Sequence, residues 1–246
     1  MQTCFILLNC AALILLINLI IQPSLSCIPT KRTEEWWVQR HAQKITEKAA
    51  PETSDKTNNS KFFDLVFIGD SIVHAWELEG EEAWHTHFGH LTTLNLGYAG
   101  DRTEHALWRI ENGEIDDIEV SYVVLLIGTN NAGHRHDKPS DIADGIKRII
   151  GTITNKIPHC KIILTALFPR SRNKHKRMRR AVDETNDIIR TLANNHQIIW
   201  FNINQHFLDD TGVLHESVMP DLLHPNALQY EIWAKELIKF INPFPV

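Results

Sequence analysis

Five short, mainly apolar runs separated by helix-length segments constrain this chain more than any other feature. They fall at residues 62–68, 92–96, 122–127, 161–167 and 197–202, and the first three end at Gly69, Gly97 and Gly128. Short runs without clear polar alternation read as strands buried on both faces. Between them, Thr103–Glu111 carries Leu107 and Ile110. Residues 140–157 place Ile142, Ile146, Ile149, Ile150 and Ile153 on one helical face, behind Ser140 as N-cap. Residues 175–194 and 227–241 follow the same helical logic. Strands alternating with helices predict an α/β fold with a five-stranded parallel sheet covered on both sides. In such sheets a ligand site lies outside the carboxyl ends of the strands.

A length of 246 residues with 43% hydrophobic content suits one domain with a sizeable core. The formal net charge of −5 gives no electrostatic case for nucleic acid. Residues 1–27 form a separate unit: Cys4 to Ile21 is apolar except for Asn9 and Asn18, and Pro23-Ser24-Leu25-Ser26-Cys27 supplies small residues. The expectation is a cleaved secretory signal and a secreted protein. The alternative is an uncleaved anchor, since the run approaches the roughly 18–20 residues of a membrane span. Asn58-Asn59-Ser60 is a glycosylation sequon in agreement with export. Residues 28–61 read as a polar linker with one docking helix around Trp36-Trp37-Val38, and 62–246 as the domain proper.

Three strings sit at or near strand ends: Gly69-Asp70-Ser71, Gly128-Thr129-Asn130 and Asp221-Leu222-Leu223-His224. A tight turn after the first strand lifts the Ser71 hydroxyl out of the sheet as a nucleophile. Asp221 and His224 are three apart and share a face, so His224 can take the serine proton while Asp221 holds its tautomer. Pro225 then fits the first position of the last helix. Asn130 can donate a hydrogen bond to a developing oxyanion, and the glycines of Asn95-Leu96-Gly97-Tyr98-Ala99-Gly100 let a backbone amide approach the same atom. Each string has an ordinary reading. Asp70 or Ser71 caps a helix, Asn and Gly terminate strands, and one Asp-x-x-His among 14 histidines means little. Together they supply the roles a hydrolase needs.

The set Ser71, Gly100, Asn130 and His224 resembles the SGNH (GDSL-type) hydrolase superfamily over roughly residues 62–237. Longer strings resemble its type I platelet-activating-factor acetylhydrolase branch: Phe67-Ile68-Gly69-Asp70-Ser71, Leu107-Trp108-Arg109, Glu111-Asn112-Gly113-Glu114, Gly128-Thr129-Asn130-Asn131, Pro169-Arg170 and Asp221-Leu222-Leu223-His224-Pro225. The resemblance implies a flavodoxin-like three-layer fold, no metal or organic cofactor, and release of a short acyl group from an ester. It also implies Ser71 and Gly100 amides as oxyanion donors beside Asn130, with Gly97 structural. Ile72, Thr129 and Leu223 would border the acyl pocket, and a homodimer is expected. An O-acetylated sugar is the alternative substrate, and a non-catalytic lipid- or glycan-binding protein the alternative class.

Three further features carry weaker expectations. Residues 170–180 hold seven Lys or Arg in eleven positions, read as a solvated loop and helix start in preference to a contact with a membrane surface. Trp76, Trp84 and Trp108 read as core before lipid-facing. His134 and His136 lack the companions of a metal site.

Overall fold

The computed structural model describes residues 24–49 and 61–241. Most of the leader and the Asn58 sequon lie outside the described residues. The chain forms α1 (Glu35–Ala49), β1 (Lys61–Gly69), a single turn α2 (Ser71–His74), α3 (Glu81–Phe88) and β2 (Thr93–Gly97). It continues through α4 (Thr103–Glu111), β3 (Ile118–Leu126), α5 (Pro139–Lys156), β4 (Lys161–Thr165), α6 (Arg177–Ile189), β5 (Ile198–Phe201) and α7 (Ala227–Ile238).

The five strands form one parallel sheet in the order β2-β1-β3-β4-β5. Leu65, Val66, Phe67 and Ile68 are all fully buried, so both faces of the interior strand β1 are covered and the fold has three layers. α4, α5 and α6 pack side by side, and α3 packs on α7. Phe67, Trp76, Trp84, Phe88, Tyr230 and Trp233 form one aromatic cluster, which places Trp76 in the core and packs half-buried Trp84 against it. The strand order reverses between β1 and β3. A crevice at the carboxyl end of such a sheet opens at that switch point.

Helix ends depart from the sequence expectation. Pro139 takes the first position of α5 and Lys138 the cap, so Ser140 lies inside the helix. Asn226, not Pro225, precedes α7, and its side chain accepts the Gln229 N–H. The expected helix over 175–194 is trimmed to α6 and a 3-10 turn at Arg190–Leu192.

The N-terminal segment belongs to the body of the fold more than a linker would. Trp37 is fully buried, and Arg40 donates to the Gly97 carbonyl at 2.9 Å and to both oxygens of Glu77 at 2.8 Å. Further upstream, Leu25–Cys27 form a 3-10 turn. Ser26 is fully buried there; its hydroxyl donates to Asp137 at 2.9 Å and its carbonyl accepts from Thr103 at 2.9 Å. The small residues that end the leader in sequence are thus a docked part of the structure.

Candidate active site

β1 ends at a glycine because nothing larger fits: a Cβ on Gly69 would lie 2.3 Å from Val73 Cγ2 and 2.4 Å from the Leu126 carbonyl. The chain turns at Asp70, whose carboxylate accepts the Ile72 N–H at 3.0 Å and so caps α2. Ser71 begins that turn. Asp70 is thus the cap that one reading of the string expected, and Ser71 opens the turn at the sheet's carboxyl edge.

The loop before α7 brings the other two groups across. His224 Nδ1 lies 2.6 Å from Asp221 Oδ2, and Nε2 lies 2.8 Å from the Ser71 hydroxyl. With Nδ1 donating to the carboxylate, Nε2 is left to accept the serine proton. The other Asp221 oxygen accepts the N–H groups of Leu223 at 3.0 Å and His224 at 2.8 Å, which fixes the loop. Burial pushes the Asp221 carboxyl up, but the His224 backbone N–H and imidazole outweigh it and hold it below its ordinary value. A carboxylate kept ionised beside Nδ1 suits the role of orienting acid.

Asn130 is buried just beyond β3 and donates from Nδ2 to the Asp101 carbonyl at 2.9 Å. An amide nitrogen carries two N–H groups, so one remains for another acceptor. The contact ties Asn130 to the loop that carries Gly100. Gly100 has φ +77°, a backbone that side chains rarely adopt. Gly97 is structural, with a Cβ there only 2.1 Å from the His74 nitrogen. Asp101 itself is fully buried and accepts from Trp37 Nε1 at 2.8 Å, Arg32 at 3.0 Å and Arg109 at 2.8 Å. Sequence reasoning missed this second tier, because its partners are scattered along the chain.

A hollow of about 480 Å³ opens beside Ser71 and His224, walled mainly by Ala75, Leu78, Ala99, Pro220, Pro225 and Ala227. His74 also lines it; burial, with Arg40 adding to the effect, pushes that imidazole down to about 4, so it is neutral at neutral pH. The three residues expected at the acyl pocket are not among its walls. Ile72 is buried in the core with its carbonyl accepting from Tyr230, Thr129 is buried against Arg170, and the Leu223 N–H serves Asp221. A larger open groove, about 1110 Å³, lies between Cys27 and Arg148 and contains none of the site residues.

Among the described residues no three His, Cys, Asp or Glu side chains converge as metal ligands, and His136 Nδ1 faces the Ala132 carbonyl at 3.1 Å. Trp108 packs against Trp37 and His41. The basic run is only partly a solvated loop, since Arg170 and Arg179 are buried.

Residues 67–232 match the model of the GDSL-like Lipase/Acylhydrolase family. The chain is 33% identical over 168 residues to the Homo sapiens platelet-activating factor acetylhydrolase IB subunit alpha1, covering 68% of this chain and 70% of that protein. Its fold is similar to that of a GDSL-like lipase from Bacteroides thetaiotaomicron, with TM-score 0.64, 20% identity and coverage of 82% and 96% of the two chains. It is also similar to Axe2, an acetylxylan esterase from Geobacillus stearothermophilus, with TM-score 0.59, 16% identity and coverage of 76% and 97%.

Proposed function

We propose that this chain, which belongs to the GDSL-like lipase/acylhydrolase family, is a serine esterase that releases a short acyl group, acetyl foremost, from a lipophilic ester. Family membership makes it a carboxylic ester hydrolase of the SGNH type; the residues and the substrate are the proposal. The observation that carries it is the continuous relay from Asp221 through His224 to Ser71, at 2.6 and 2.8 Å.

In this reading Ser71 attacks the ester carbonyl as His224 takes its proton. The oxyanion receives the free N–H of Asn130 and the backbone N–H groups of Ser71 and Gly100. Each such donor is worth about 2.7–4 kcal/mol of transition-state stabilisation. His224 then protonates the leaving alkoxide and activates the water that frees the acid. Asp221 keeps the tautomer that makes both transfers work.

The lining of the hollow, mostly apolar, supports a lipid-like ester over an O-acetylated sugar, whose hydroxyls would find only His74, Glu79 and Asn226 as polar partners beside the relay. The similarity to a platelet-activating factor acetylhydrolase subunit supports acetyl as the acyl group. The intact relay argues against a binding protein without turnover. We further propose export, supported by the apolar leader.

Purified Ser71→Ala tests the chemistry. It is expected to lose turnover of p-nitrophenyl acetate by about 10⁴-fold or more while staying folded; unchanged turnover overturns the assignment. Acetate release from an acetylated phospholipid and from an acetylated xylo-oligosaccharide tests the substrate. Faster release from the sugar would replace the lipid reading.

A further inference from the structure

The run 170–180 reads in sequence as a solvated basic loop, yet its first residue turns inward. Arg170 is buried, and its Nη1 donates to the Thr129 carbonyl at 2.6 Å and to the Thr129 hydroxyl at 3.2 Å. That carbonyl belongs to the peptide unit leading into Asn130. Gly133 makes room for the guanidinium: a Cβ there would lie 2.4 Å from Nη1. The adjacent Ser171 donates its backbone N–H to the Leu222 carbonyl at 2.8 Å, inside the Asp221–His224 loop. Ser171 and Leu222 both hold left-handed backbone, at φ 62° and 58°. The acids in electrostatic range of Arg170 are Asp70, next to Ser71, and Asp221.

The arrangement is costly for a residue that served stability alone. Nε is buried without a partner, and none of the described carboxylates lies within salt-bridge distance of the guanidinium. A buried charge so poorly compensated is cheaper to replace than to keep. What it does achieve is a double hydrogen bond to Thr129, beside a residue, Ser171, that is itself bonded to the His224 loop.

We propose that Arg170 is a positioning residue of the esterase site, clamping the Thr129–Asn130 peptide so that the Asn130 amide and the His224 loop keep a fixed separation around Ser71. This rests on the serine-esterase reading above.

The test compares Arg170→Ala, Gly133→Ala and wild type on p-nitrophenyl acetate, with melting temperatures alongside. Arg170→Ala is expected to lose about 10- to 100-fold in kcat, as a displacement of about 1 Å can cause. KM should stay within about three-fold, because the lost interaction is made in the transition state. Guanidinium ion at millimolar concentration should restore part of kcat, and tetramethylammonium should not. Gly133→Ala keeps the charge but displaces the guanidinium, and should reproduce the kcat loss; it decides the matter if Arg170→Ala does not fold. Unchanged kcat in a folded variant overturns the proposal, as does a loss that guanidinium does not rescue. With Ser71→Ala inactive, either result leaves the serine-esterase reading intact; an active Ser71→Ala overturns both.

Discussion

Trp37 donates its indole N–H to Asp101 at 2.8 Å, and through that bond the N-terminal helix reaches the loop that carries Gly100. Asp101 in turn offers its backbone carbonyl to Asn130. The indole also packs on Tyr98 and Trp108 with ring centroids 5.7 and 5.5 Å away. A helix that begins 36 residues before Ser71 in the sequence therefore forms part of the underside of the site.

Trp37→Phe separates the hydrogen bond from the ring. Phe keeps an apolar face in the buried slot but leaves Asp101 one donor short and opens a small void. A loss of about 1–3 kcal/mol in stability is expected, measured by urea denaturation. Arg32 and Arg109 still hold Asp101, so turnover should fall by less than the loss of an oxyanion donor would cause. An unchanged denaturation midpoint would show that the bond contributes nothing.

Asp70 makes stability depend on pH. Burial pushes its carboxyl from the ordinary 3.8 up to about 7, against the opposing Ile72 N–H, His224 and Arg170. The unfolded chain releases this proton near 3.8, whereas the folded chain keeps it to about 7. The folded state therefore binds more protons between those values and loses stability as pH rises through them. The slope is at most about 1.4 kcal/mol per pH unit, and the cost is constant above about 7. Asn in place of Asp70 accepts the same Ile72 N–H without a charge. The stability of Asp70→Asn relative to wild type should rise from about pH 4 to about pH 7 and then level off, in denaturation series across that range. A difference that stays flat with pH contradicts the assignment.

The strands were legible because burial on both faces leaves short apolar runs that no surface segment produces, and each of the five appears near its expected place. That Ser71, Asp221 and His224 come together was readable from the Gly-Asp-Ser turn after β1 and from the three-residue spacing of Asp221 and His224 before Pro225. The partners of Arg170, Arg32 and Trp37 were not, although Trp37 was read as the anchor of a docking helix and is buried at the start of α1. Their side chains act on partners 41, 69 and 64 residues away, and nothing local distinguishes an arginine that turns inward from its solvated neighbours. Helix caps were misassigned where Lys138 and Asn226 hold positions that Ser140 and the residue before Pro225 were expected to fill. The residues carried over by resemblance for the acyl pocket do not line the hollow; Ile72 and Thr129 are buried, because neighbours in sequence along a helical turn point in different directions.

Two glycines with opposite surroundings give the last prediction. At Gly97, a Cβ would sit 2.1 Å from the His74 nitrogen and 2.5 Å from the Val73 carbonyl carbon, both backbone atoms of the turn that holds Ser71. Neither can move without shifting that turn, and Arg40 is already bonded to the Gly97 carbonyl. Gly97→Ala should therefore cost about 1–3 kcal/mol of stability, the range of overpacking, and displace the nucleophile, so kcat falls with it. Gly151 lies within α5, and a methyl added there would meet nothing within 4 Å. There the helix gains what glycine loses in backbone entropy, and Gly151→Ala should stabilise the protein by up to about 1 kcal/mol with turnover unchanged. Thermal melts and p-nitrophenyl acetate assays of both variants check the pair. Equal effects at the two positions would mean that the close packing of β2 against α2 does not hold Ser71 in place.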